Sequence, residues 1–94
     1  MDFKLVRSKK KGKKYTALFD NKTVHFGQAG ASDFTKHKDE ARKQRYIDRH
    51  RKRENWRDIR TAGALSRWLL WNKPTLEESV RDTERKFGIR IDAR

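Results

Sequence analysis

Residues 15–26 read Tyr-Thr-Ala-Leu-Phe-Asp-Asn-Lys-Thr-Val-His-Phe, and the fold class turns on them. Tyr15, Ala17 and Phe19 alternate with Thr16 and Leu18, the two-residue period of a half-buried strand. Asp20, Asn21 and Lys22 supply turn residues, after which Val24 and Phe26 face one way again. The reading is a hairpin that offers Tyr15, Ala17, Phe19, Val24 and Phe26 to a core. Read as helix instead, the first 26 residues would make the protein all-helical. Upstream, Phe3 and Leu5 stand at strand spacing, so residues 3–26 form a three-stranded antiparallel meander. Its first loop, residues 7–14 (RSKKKGKK), carries six basic residues and one glycine.

Downstream the period changes. Residues 27–38 read as a glycine-containing loop, and a basic helix follows over 36–55, with Asp39 and Glu40 suiting its positive N-terminal end. Its apolar stripe is thin (Ala41, Tyr46, Ile47, His50), so it packs along one edge and shows cations elsewhere. Residues 61–72 are the opposite case, interrupted only by Ser66 and Arg67, and read as a buried apolar helix that Pro74 ends. Thr75-Leu76-Glu77-Glu78 fits a capping box and opens a helix over 75–87, which Gly88 closes. Ile89-Arg90-Ile91 suits an edge strand beside the hairpin. The expectation is one α+β domain over residues 1–94, a three-stranded meander packed on about three helices.

Composition narrows the function. The 94 residues hold 26 Lys and Arg against 13 Asp and Glu, a net charge of +13, with 41% charged and 33% hydrophobic residues. Three Trp, two Tyr and five Phe are more aromatic content than a disordered polycation carries. The absence of cysteine excludes disulfides, thiolate zinc sites and cysteine nucleophiles. The longest apolar run, residues 68–71, falls far short of the roughly 20 residues a membrane span needs. With no signal-like apolar core near the start, the expectation is a protein neither secreted nor membrane-spanning. The charge is uneven: residues 1–60 carry a net +11, residues 61–74 a net +2 and residues 75–94 none. That gradient points to a basic face built by the first two thirds of the chain.

Two arrays carry the phosphate-binding chemistry. One is Lys9, Lys10, Lys11, Lys13 and Lys14 on the first loop; the other is Arg49, Arg51, Lys52 and Arg53 at the end of the basic helix. Arg42, Arg45 and Arg49 recur at helical spacing on one face, with Lys38 nearby. Such groups displace condensed counterions from a polyanion, and their concentration outweighs the alternative of a merely solvated surface. Few side chains suited to base readout accompany them, which favours sequence-tolerant binding. Trp68 and Trp71 belong to the core; only Trp56, in a polar stretch, suits a partner contact. His25, His37 and His50 lack a recognised ligand spacing, so no metal, cofactor or catalytic residue is expected. A small metal nuclease dependent on His37, Asp39 or His50 is the least favoured reading.

The strings His25-Phe26-Gly27, Asp33-Phe34-Thr35, His37-Lys38-Asp39, Arg45-Tyr46-Ile47, Arg49-His50 and Arg53-Glu54-Asn55-Trp56 lead to residues 66–74, SRWLLWNKP. Together they resemble a family of small basic proteins of uncharacterised function encoded by large eukaryotic DNA viruses, the algal and amoebal giant viruses among them. The resemblance spans about residues 13–88, and SRWLLWNKP is its most specific part. It implies a viral setting: a non-enzymatic nucleic-acid-binding protein of the virion, or of the host nucleus or cytoplasm, meeting the genome, DNA first of all. The alternative is a minor capsid protein that binds acidic surfaces of other virion proteins. The oligomeric state, the strandedness of the nucleic acid and the name of any protein partner stay open at this stage.

Overall fold

The computed structural model describes residues 2–93, and they form an α+β fold. The meander consists of β1 (Asp2–Arg7), β2 (Lys13–Leu18) and β3 (Thr23–Gln28). Helices α1 (Phe34–His37), α2 (Glu40–His50), α3 (Ala62–Leu65) and α4 (Leu76–Phe87) follow, α3 running on into a π-helical turn, Ser66–Leu70. A last strand, β4 (Arg90–Asp92), lies parallel to β1, so the sheet order is β3-β2-β1-β4. The edge strand expected at residues 89–91 is therefore present, one residue later and against β1.

The register explains the core. Leu5 stands opposite Ala17, Ala17 opposite Val24, Tyr15 opposite Phe26 and Phe3 opposite Ile91, so one sheet face is apolar across its middle, with Arg7, Lys13 and Gln28 at its end. Leu65, Leu69 and Leu70 from the third helical segment, Val80 from α4 and Ile59 cover that face. Phe19 closes the hairpin turn, its N–H donating to the Lys22 carbonyl at 2.9 Å, and still packs inward on Phe3 with ring centres 4.7 Å apart.

The third segment is apolar and buried as expected, but its second half is wound wider. The Trp71 N–H reaches back five residues to the Ser66 carbonyl at 3.0 Å, which lets Leu65, Leu69 and Leu70 all turn inward. The widened turn leaves carbonyls short of donors, and the buried Thr83 hydroxyl of α4 lies 3.2 Å from the Trp68 carbonyl and 2.7 Å from that of Ser79. At the start of α4 the Thr75 hydroxyl accepts the Glu78 N–H at 3.1 Å, half of the expected capping box. The other half differs: the Glu78 carboxylate meets the Thr75 hydroxyl, also at 3.1 Å, in place of a backbone amide. Gly88, in the left-handed conformation, ends the helix as expected.

The basic helix expected over residues 36–55 is corrected most. Lys38, left-handed at φ 55°, closes α1 by donating its N–H to the Phe34 carbonyl, and Asp39 caps a separate α2 by accepting from the N–H groups of Ala41 and Arg42. An N-cap needs extended backbone, so a capping Asp at 39 and a helix running through it exclude each other. The chain leaves the helix after His50, where three successive cations, Arg51, Lys52 and Arg53, occupy turns. α2 stands beside the main core, joined to it by rings: Tyr46 stacks on Trp71 at 4.4 Å with planes 3° apart, and on His50 at 4.3 Å.

Candidate nucleic-acid interface

The cations foreseen from sequence fall into two groups. Lys9, Lys10, Lys11, Lys13, Arg42, Arg45, Arg49, Arg51, Lys52 and Arg53 are exposed, and among the described residues none of their side chains has an acidic partner. Lys14 and Lys38 differ. The Lys14 ammonium lies 2.5 Å from the carboxylate of Asp33, which is 1% exposed, and this pair is a fixture of the interior. Asp33 also accepts from the Thr35 hydroxyl and, at 2.9 Å, from its N–H, so it caps α1 while it holds Lys14. Lys38 spends its ammonium on the Thr35 carbonyl at 2.7 Å. Lys14 is neutralised within the fold, whereas Lys38 is exposed with no acidic partner and keeps its charge while its ammonium ties the end of α1.

Five of the free cations, Lys10, Lys13, Arg49, Lys52 and Arg53, line a track of three adjoining depressions. One depression, at the end of α2, is bordered by Asp48, Arg49, His50, Lys52 and Arg53, three cations to one acid. It shares Arg49 and His50 with a central cleft of about 380 Å³. That cleft in turn shares Lys13 and Ala62 with a third depression bordered by Lys10, Lys22 and Arg60. The loop between β1 and β2 and the C-terminal end of α2, far apart in sequence, thereby meet on one side of the molecule.

The cleft is shaped by two glycines. Gly27, at φ 78°, would place a Cβ 2.8 Å from Leu70 Cδ1, and Gly63 would place one 2.8 Å from the Glu54 carboxyl carbon. Glu54 accepts from the Trp56 indole N–H at 2.8 Å and pairs with His50 Nδ1 at 3.2 Å. Tyr46, 6% exposed, lines the cleft, and its hydroxyl makes no hydrogen bond to the protein. Burial first, and the nearby Glu54 charge second, push its ionisation well above the ordinary phenol range, so the hydroxyl is a donor at working pH.

Two cations and one histidine serve the packing around α2. The Lys43 ammonium donates to the Asn72 carbonyl at 2.6 Å and lies 4.7 Å from the Phe34 ring centre; burial lowers its pKa. The Arg67 guanidinium, also lowered by burial, covers Trp68 at 4.4 Å and donates to the Trp71 carbonyl at 2.8 Å. His37 accepts the Asp39 N–H on Nδ1 at 2.9 Å, and burial, reinforced by Arg42, holds its pKa below the ordinary value. Among the described residues no three His, Asp or Glu side chains are grouped to hold a metal ion. None of their helices is long and apolar enough to cross a membrane.

Trp56 is not the projecting side chain its polar neighbours suggested. It is half-buried, its indole N–H is engaged by Glu54, and Arg67 lies 5.4 Å from its ring. Sequence reasoning also passed over Asp33, Glu54, Gly63, Ser66 and Tyr46 as cleft residues, and Lys22 and Arg60 as parts of the track. Asp33 carried a usable signal, since an Asp two residues before a Thr suits a cap; the others became neighbours only through folding.

Residues 3–50 match a family of unknown function, DUF5754, and the chain belongs to that family. Searches of curated proteins and of solved structures found no match.

Proposed function

We propose that this protein binds nucleic acid through its phosphates, largely without regard to sequence, and performs no chemistry on it. The observation that carries the reading is the basic track: ten exposed Lys and Arg foreseen from the sequence have no acidic partner, and five of them line concavities that share residues. Cations that the protein does not neutralise internally keep their charge for an external polyanion. The resemblance of residues 13–88 to small basic proteins of large eukaryotic DNA viruses makes a viral genome the polyanion we have in mind, with the protein carried in the particle. The alternative, a capsid component bound to acidic proteins, needs an exposed aromatic anchor, and Trp56 is engaged within the fold.

The test is binding of the purified protein to a random duplex of about 30 base pairs across a salt series, where each neutralised phosphate contributes about 0.9 to the slope. Six or more contacts give a slope of about −5 or steeper in log affinity against log salt, the same for unrelated sequences. Weak binding that is flat in salt would overturn the reading and move the basic face to an acidic protein partner.

A further inference from the structure

The central cleft is more than a bend in the track. Its volume, about 380 Å³, lies at the small end of the range that ligand pockets occupy, the size of one nucleotide unit and far below a duplex. Both acids that line it are already engaged, Asp33 by Lys14 and Glu54 by His50 and Trp56. Lys13 and Arg49 line it with no acidic partner, so the charge offered to an occupant is positive. Tyr46 adds a second and independent observation: its ring is held in the cleft wall, and its hydroxyl, with no partner in the protein, stays accessible from outside. The ring is buried, but the hydroxyl itself is open to solvent and free to donate to an oxygen of an occupant. Gly27 and Gly63 let the cleft walls close up tightly, Gly27 against Leu70 and Gly63 against Glu54, where a Cβ would not fit.

We infer that the cleft receives one unpaired nucleotide of a nucleic-acid strand, its phosphate drawn by Lys13 and Arg49 and one of its oxygens hydrogen-bonded by the Tyr46 hydroxyl. The inference rests on the nucleic-acid reading above and specifies the form bound: a strand end or an unpaired segment enters the cleft, while a duplex lies across the track outside it. Stacking contributes little, because the Tyr46 ring is already sandwiched between His50 and Trp71. Recognition is therefore by charge, by size and by one hydroxyl.

The experiment compares a short random single strand of about 12 nucleotides, long enough to fill one small binding site, with its duplex at one salt concentration. The proteins are the unaltered chain and two variants. Tyr46→Phe removes only the hydroxyl; Ala31→Phe, on the loop before α1, fills the cleft and serves should the first variant unfold. Each is expected to weaken single-strand binding about tenfold and to leave duplex binding unchanged. Equal binding of the single strand by all three proteins, with the duplex still bound, would overturn the cleft assignment and leave the nucleic-acid reading in place. If neither polymer binds the unaltered chain, that reading itself fails. The cleft is then judged by titrating a nucleoside 5′-monophosphate and following the Trp71 indole N–H resonance. A shift lost in Ala31→Phe supports the site, and no shift overturns it.

Discussion

Lys13 and Lys14 are neighbours in sequence with opposite employment. Lys14 neutralises a carboxylate with almost no exposure, whereas Lys13 faces the track. Lys14→Gln is expected to cost about 3 kcal/mol of stability, because it strands the Asp33 charge, and to leave the salt slope of binding nearly unchanged. Lys13→Gln should do the reverse, with little change in the urea midpoint and a slope smaller by about one. Equal effects on binding from the two would contradict the assignment.

His37 sets a pH dependence at the same scale. Its Nδ1 accepts the Asp39 N–H, and its Nε2 is buried without a partner, so the folded state prefers the neutral ring. The folded pKa lies below the ordinary histidine value of 6.5, with burial the larger cause and Arg42 the next. The unfolded chain therefore takes up the proton first, and the stabilisation is fully present above the unfolded value. It is lost as pH falls from about 6.5 through the folded pKa. Urea midpoints measured between neutral and mildly acidic pH should decline, and His37→Gln should flatten that decline. An unchanged slope in the variant would remove His37 as its source.

Elements in this fold end and bend where single hydroxyls allow. Thr75 caps α4, and Thr83 serves two carbonyls at the widened turn of the third segment. Thr75→Ala is expected to cost about 1 kcal/mol. Thr83→Val keeps the shape and removes the hydroxyl, at about 1–2 kcal/mol, read from thermal or urea unfolding. The capping threonine was legible because its signal lies within four residues of sequence. The π turn was not, because apolar residues 68–71 suit an ordinary helix equally well, and the wider winding is decided by the sheet that Leu69 and Leu70 must reach. The break at Lys38 was half legible: Asp39 announced a helix start, and the short α1 before it was absorbed into the same helix.

Across the whole molecule, charge is partitioned as the sequence gradient suggests. In α4 two of the cations are paired with acids of the same helix, Arg81 with Glu77 at 2.6 Å and Arg85 with Asp82 at 3.4 Å. Successive Lys→Gln changes at Lys9, Lys10 and Lys11 should each reduce affinity by a similar increment and the salt slope by about one. Arg81→Gln and Arg85→Gln should change neither. A loss of affinity concentrated in one or two residues of either set would point to a fixed protein interface.

Sequence alone determined the α+β class, the meander and its core residues, the cap of α4 and the excess of positive charge in the first 60 residues. Each of these is written in local spacing or in counts, which folding does not alter. Tertiary structure alone decided which cations remain available and where they meet. Lys14 lost its availability to Asp33, 19 residues away, and Lys13 joined Arg49 at a cleft whose walls come from residues 13–14, 26–33, 46–54 and 62–71. Electrostatic pairing depends on distance in space, and a sequence holds no record of that distance until the chain has folded.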